Sequence, residues 1–432
     1  MRYSGERPQP NESAFPCVWT RSVFLPVHEV PSQTNRLRIA YIAPYQGPTL
    51  VSRRPIHRNR SLAATVKIEL VAELLQKNSH EVEVISQGEV IEKGLRLYRA
   101  FREPHPFHPE IRVEYSSALP LPFVNGFWSS ASTLRCLRSR HRATPFDLVM
   151  IYNFKMPQMV CANYAMRCLG LPVILEYEDD TFVDVDGEKP TGFRSSCHLY
   201  ASRKTLEAVS ACIGVSPYLL SQVSSSIPKL LVPGVVSDEI LRTREAGGLA
   251  RKNWIVFSGT LYKTKGLEKL ITGWNARPIE NWELHIAGDG ELNTVLREMA
   301  RENSSIVFHG LLDRNENARL LCSGMIGINP HDLSERPGNV FAFKIMEYLA
   351  AGLHVLSTPM GQLDPAIEAG ITYMTDNQPH TIMETLRRVI EERQFMATVA
   401  QTVQATYGSE GLSRTLEALL DSVVRRGQVN PA

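Results

Sequence analysis

The chain has 432 residues, 43% hydrophobic and 21% charged, enough for two domains of ordinary size with a globular composition. Its formal net charge of +2 gives no global drive toward nucleic acid or membrane, so any basic effect must be local. Seven dispersed cysteines (Cys17, Cys136, Cys161, Cys168, Cys197, Cys212, Cys322) without a C-x-x-C pair argue for reduced thiols and against a disulfide frame or zinc centre.

Residues 1–35 hold Pro8, Pro10, Pro16, Pro26 and Pro31 and show no sustained periodicity, which predicts an extended tail or a strap over the first domain. The start of the chain lacks the apolar core of a secretory signal. No stretch approaches the roughly 18 apolar residues of a membrane span. A cytoplasmic location is expected.

Leu37–Ala43 reads as a buried strand, with Gly47 in the loop beyond it and a basic run from Ser52 to Arg60 that includes Arg53 and Arg54. That run is either a solvated loop or a cation cluster facing an anionic acceptor or a diphosphate. A helix over Ser61–Lys77 and the alternating strand His80–Ser86 complete a β-loop-α-β unit. Arg135, Arg138, Arg140 and Arg142 lie among Leu134, Cys136 and Leu137. They describe a short basic helix, read either as a plain surface helix or as a contact with an anionic membrane.

Strands return at Asp147–Tyr152 and Pro172–Tyr177, with a helix over Met156–Leu169 between them. The second runs into Glu176, Glu178, Asp179 and Asp180. Acids crowded at a strand's carboxyl end must be solvated, paired or used; they position an acceptor or cap a helix, in preference to chelating a metal. A loop over 181–195, a helix to Val209, a strand at Ala211–Val215 and a helix capped by Ser216 follow. The segment Leu230–Val236 closes the first half, with a hinge expected near Gly234–Arg242.

The second half starts with the strand Trp254–Ser258, the loop Gly259–Gly266 and a helix over Leu267–Trp274. Trp282–Ala287 is the next strand, and Gly288-Asp289-Gly290 makes its tight turn into a helix over Glu291–Ala300. Ile306–Gly310 ends another strand, and Ala318–Cys322 lies on a helix. Then come a strand over Met325–Pro330, a loop over His331–Asn339, a helix over Val340–Ala351 stopped by Gly352, and the strand His354–Ser357. In open α/β sheets ligands bind at the carboxyl ends of strands. The first-turn amides Asn339–Ala342 suit a phosphate. Lys344 and Glu347 share one helix face, either as a ligand-binding pair or as an ordinary solvated one. Helices are expected over Gln362–Ala369, Thr381–Phe395 and Met396–Arg426.

The run Asn339–Gly352, N-x-F-x-x-K-x-x-E-Y-L-A-A-G, resembles the donor-binding segment of the family 4 retaining glycosyltransferases, which have the GT-B fold. By that resemblance Glu347 touches the nucleotide ribose, and Asn339 takes the place of a first glutamate. Ala342 and Phe343 replace the Pro-Ser of a related branch. Gly259–Gly266 is similar to the family's G-R-L-x-x-x-K-G loop, which gives Lys265 the donor diphosphate and Gly259 a close backbone approach to it. Thr260 replaces the usual arginine, a lost cation that Lys263, Lys344 or an arginine of the first loop would replace. Glu176 and Asp179 match an E-x-x-D stretch on the acceptor side. His309 stands where the family meets the nucleotide base, or else is a satisfied structural histidine.

The resemblance implies two Rossmann-like doubly wound parallel-sheet domains facing across a cleft. Residues 36–236 would bind the acceptor and 237–395 the donor, and 396–432 would cross back to the first domain. The implied reaction moves a sugar from a nucleoside diphosphate sugar to an acceptor hydroxyl with retention of configuration, in polysaccharide or glycoconjugate synthesis. Lys265, Glu347 and Asp179 would be catalytic. Gly259, Thr260, Asn339, Val340, Phe341, Lys344 and His309 would join Lys265 and Glu347 around the donor. Gly47, Arg53, Arg54 and Glu176 would join Asp179 on the acceptor side. The implied partners are the nucleotide-sugar donor, a glycan or lipid-linked acceptor and a peripheral inner-membrane contact, with no nucleic acid, no metal and no cofactor besides the co-substrate. Two rivals stand beside this reading: a sugar-nucleotide epimerase, and a non-catalytic protein of the same fold, which Thr260 and Asn339 favour.

Overall fold

Unbroken apolar runs become strands buried on both faces, as parallel sheets require. In the computed structural model, RIAYI, LVMIY and VILEY are each buried at every position. The structure describes residues 36–429 apart from 55–61, 89, 91–93, 107, 123, 183–191, 333–341, 360–362, 364 and 393–396. The expected N-terminal strap, much of the arginine loop and the first turn at Asn339, Val340 and Phe341 therefore lie outside the described residues.

The first half runs β1 (Arg38–Ile42), α1 (Pro48–Arg53), α2 (Leu62–Lys77), β2 (Glu81–Ser86), β3 (Phe101–Pro104), β4 (Arg112–Tyr115) and α3 (Asn125–Ala143). It continues with β5 (Leu148–Tyr152), α4 (Met156–Cys168), β6 (Val173–Tyr177), α5 (Phe193–Ala208), β7 (Ala211–Gly214), α6 (Pro217–Ser221) and β8 (Lys229–Leu231). The second half runs α7 (Asp238–Ala246), β9 (Trp254–Ser258), α8 (Leu267–Ala276), β10 (Glu283–Ala287), α9 (Asn293–Met299), β11 (Ile306–Gly310), α10 (Arg314–Ser323) and β12 (Ile326–Asn329). Next come α11 (Lys344–Ala350), β13 (His354–Ser357), α12 (Pro365–Glu368), β14 (Ile371–Tyr373), α13 (Pro379–Glu392), α14 (Ala397–Tyr407) and α15 (Ser409–Val429).

These strands form an eight-stranded sheet, β3-β4-β2-β1-β5-β6-β7-β8, and a six-stranded sheet, β11-β10-β9-β12-β13-β14. Every pairing is parallel except that of β3 with β4. Both orders are doubly wound, so the chain reverses its direction of travel between β1 and β5 in one sheet and between β9 and β12 in the other. Those switch points are where such sheets open a crevice for ligands. A continuous apolar core links the halves, running from Ile39 and Tyr41 through Val232, Val235 and Ile240 to Met346 and Leu349. Helix α15 packs against α2 and β8, and His80 Nε2 lies 2.7 Å from Glu417 Oε1.

Several elements differ from expectation. The short basic helix is the middle of the 19-residue α3. Its Arg140 is spent on Glu114 at 2.6 Å and Glu83 at 3.1 Å, leaving Arg135, Arg138 and Arg142 exposed. The expected loop start at Ser52 lies on α1, and β3, β4 and β14 are strands too short to show a period. No described helix is long and apolar enough to cross a membrane.

Candidate active site

Gly259, Lys265, Lys344 and Glu347 are assembled by the loop after β9 and the helix after β12, the two elements flanking the second switch point. Ser258 ends β9 and is fixed there: its amide donates to Tyr348 Oη at 2.7 Å, and its hydroxyl bonds Asn317 Oδ1 at 2.7 Å. Gly259 follows at φ +150°, and a Cβ built on it would lie 2.8 Å from Lys344 Nζ. Only glycine fits that conformation and that approach.

The loop is held from both sides. Thr264 carbonyl accepts from the Asp332 amide at 2.8 Å. Gly266, left-handed at φ +69°, is packed so tightly on the Pro330 carbonyl that a Cβ there would overlap it. Behind the loop, Cβ atoms at Gly288 and Gly290 would collide with the backbone of Gly259 and Leu261. Gly288-Asp289-Gly290 is thus a packing device. Lys265 ends a one-turn 3₁₀ segment, Lys263–Lys265, between these anchors.

Lys344 Nζ is buried 3.8 Å from the centre of the Phe257 ring and has no hydrogen-bond partner among the described residues. Burial, then the nearby charge of Lys265, hold its ammonium well below the ordinary lysine range, against an opposing pull from Glu347. Burial lifts the Glu347 carboxyl to about 7, with Arg314 and Lys344 pulling it down and Glu239 pushing it up. A buried cation without a partner is costly. Two lysines converging beside a carboxylate at a strand's carboxyl end make a place suited to a polyanion with a hydroxyl-bearing neighbour. Thr260 sits half-buried in the same loop.

His309 pairs elsewhere, with His285 of β10. Its Nε2 lies 2.8 Å from His285 Nδ1, and His285 in turn bonds Glu283 at 3.1 Å and stacks on Trp254 at 3.9 Å. Burial lowers both imidazoles from their usual range. This pairing gives His309 a structural partner within its own sheet.

Three of the expected acceptor-side residues are likewise spent inside the first domain. The Gly47 amide donates to Tyr115 Oη at 3.0 Å, and Tyr45, Glu103 and Tyr115 fill the space where a ligand would have to come. Arg54 is 1% exposed; its guanidinium donates to the carbonyls of Gly88, Ser116 and Arg99 at 2.6, 2.7 and 3.0 Å. Burial brings it down to about 10. Glu176 is fully buried, accepting from Tyr41 Oη and lying 3.7 Å from Lys67 Nζ; burial pushes its carboxyl up. Sequence reasoning missed these two partners, Tyr41 and Lys67. Glu178, raised by burial to about 8, pairs with the same Lys67.

Arg53 and Asp179 remain at the surface. Arg53 lies over the Phe101 ring at 4.6 Å. Asp179 is oriented by Asn153, whose side-chain amide donates to it at 3.2 Å and whose Oδ1 accepts its backbone N–H at 3.3 Å. Asn153 holds a left-handed conformation, φ +56°, at the end of β5, a strain worth noticing beside a switch point. Asp180 is engaged by Tyr218 Oη at 3.0 Å and Gln222 at 3.3 Å.

Comparison with known proteins agrees with this architecture. Residues 252–392 match the family model described as Glycosyl transferases group 1. Sucrose-phosphate synthase from Thermosynechococcus elongatus superposes with a TM-score of 0.63 at 14% identity, over 90% of this chain and 100% of that one. Anabaena HepE in complex with UDP-glucose gives 0.59 at 14% identity, over 90% and 100%. The catalytic domain of starch synthase IV from Arabidopsis thaliana, bound to ADP and acarbose, gives 0.57 at 11% identity, over 90% and 100%. At such identities the superpositions speak for the fold. No curated protein matches the sequence.

Proposed function

Because the chain is a group 1 glycosyltransferase on a GT-B frame, we propose that it transfers a sugar from a nucleoside diphosphate sugar to an acceptor hydroxyl with retention of anomeric configuration. The observation that carries this reading is the pair of converging cations, Lys265 and the buried, unpartnered Lys344, beside Glu347 at the switch point. Bond cleavage leaves negative charge on the departing diphosphate. Preorganised cations in a water-poor site stabilise that charge without reorganisation. Lys344 stands where it replaces the cation missing at Thr260, and Glu347 receives the ribose hydroxyls. Neighbouring structures holding UDP-glucose or ADP support a nucleotide donor.

On the acceptor side, Asp179 is the exposed acid held in a fixed orientation and is proposed to bind the incoming hydroxyl, with Arg53 nearby in sequence to the arginine loop. In the same half of the chain, Phe127 at the start of α3 and Phe193 at the start of α5 are 68% and 85% exposed. We propose a lipid-linked glycan as acceptor and a peripheral membrane contact, in polysaccharide or glycoconjugate synthesis. Lys265→Ala is expected to lower turnover by at least about a hundredfold while leaving the melting temperature nearly unchanged. Normal sugar transfer by the mutant, followed by product NMR, would remove the proposed phosphate site. Conversion of the donor with no acceptor present would point to an epimerase instead.

A further inference from the structure

Helix α10 begins with Arg314, placed there by a capping box in which Asp313 and Glu316 satisfy one another's backbone amides. The guanidinium reaches out of its own half of the molecule. Nη1 donates to both oxygens of Glu73 at 3.0 and 3.1 Å, and Nη2 donates to Glu69 at 2.7 Å. Glu69 and Glu73 lie one turn apart on α2, the helix that precedes β2 of the first sheet. The three side chains are only 17%, 9% and 10% exposed.

A cluster buried this far gains little net stability, because desolvating the charges offsets their attraction. What it does fix is geometry, since a guanidinium fork donates to carboxylates in few directions. The same charge also acts on the donor half, where Arg314 is the leading influence keeping the Glu347 carboxyl ionised against burial. We propose that Arg314 is a positioning residue coupling the docking of α2 to donor binding: one guanidinium clamps Glu69 and Glu73 and acts through its charge on the carboxylate that receives the ribose. The inference rests on Glu347 being the ribose-binding group.

Other groups facing this cluster are consistent with Arg314 as its working cation. Tyr45 Oη donates to Glu69 at 2.9 Å. His105 Nε2 is 3.9 Å from Glu69, but burial and then the charge of Arg314 hold it down to about 4, so it is neutral near pH 7. His108 Nε2 lies 3.7 Å from Glu73. Glu239 on α7 acts on both Arg314 and Glu347, and Lys344 acts on Glu347 from its own helix.

The test is calorimetric titration of UDP, ADP and GDP into the full chain from acid to alkaline pH, with small-angle scattering of each sample. Wild type is compared with Arg314→Ala, Arg314→Lys and Glu73→Gln. Wild-type affinity should rise with pH through about 7, as Glu347 ionises and offers both carboxylate oxygens to the ribose. Arg314→Ala should move that midpoint upward, weakening binding below it by about tenfold for each unit of displacement, and should loosen the two halves. Arg314→Lys should restore the midpoint but not the compactness. Glu73→Gln should loosen the halves without raising the midpoint, and with Arg314→Lys it carries the test if the alanine variant does not fold. An unchanged midpoint in Arg314→Ala, with unchanged scattering, overturns the coupling. Failure of wild type to bind any of the three nucleotides overturns the reading of Glu347 itself, and the coupling with it.

Discussion

Glu347 is a carboxyl group kept under tension. Burial raises it to about 7 from the usual carboxylate range near 4.3, so the folded chain binds its proton more tightly than the unfolded chain does. By linkage its contribution to stability is fully present below the unfolded value and is lost as pH rises through about 7. Glu347→Gln is therefore expected to stabilise the nucleotide-free protein at pH 8 by roughly 1–3 kcal/mol while abolishing nucleotide binding. Chemical denaturation of mutant and wild type at pH 8 and pH 5 checks this; the gain should shrink at the lower pH. Equal stability at pH 8 would mean that Glu347 is well solvated. Lys344 and Glu347 were legible in the sequence as an i,i+3 pair, but the burial of the Lys344 ammonium and the half-burial of Glu347 were not. A helix face declares its spacing and not what packs upon it. Glu176 failed for the same reason: its motif partner Asp179 is exposed while it is sealed beneath Tyr41 and Lys67.

At the scale of elements, strands were the most readable feature. Apolar runs such as WIVFS and HVLS occupy the residues expected of them, because a strand buried on both faces leaves few alternatives. Helix starts were less readable. The description of α11 begins at Lys344, and α10 begins four residues before the Ala318 at which its apolar positions became evident. The signal for α10 was present in Asp313 and Glu316, a capping-box spacing, and noticing it would have brought Arg314 forward as a helix-start residue. The donor loop itself is held by backbone contacts that only glycine permits. Gly266→Ala would combine a left-handed backbone with an overlap onto the Pro330 carbonyl. It is expected to cost at least about 2 kcal/mol and to misplace Lys265, read as a lower melting temperature together with weakened nucleotide binding. A mutant as stable and as active as wild type would show that the loop tolerates movement.

For the whole molecule, two sheets each reverse at a switch point, and a shared apolar core from Val232 to Met346 keeps the halves associated. Helix α15 adds a second tie through Glu417 and His80, and Arg314 a third. Alternation of strand and helix made this architecture legible early. The ties were not legible, since residues such as Glu73 and Arg314 are joined by the fold across a long stretch of chain.

The central claim is that Lys265, Lys344 and Glu347 form a nucleoside diphosphate site. It is tested most directly by a crystal structure of the protein grown with whichever of UDP, ADP or GDP binds. The diphosphate is expected between the Lys265 and Lys344 ammonium groups, with the ribose hydroxyls on Glu347. A nucleotide bound elsewhere, leaving Lys344 against Phe257 without an anionic partner, would contradict it.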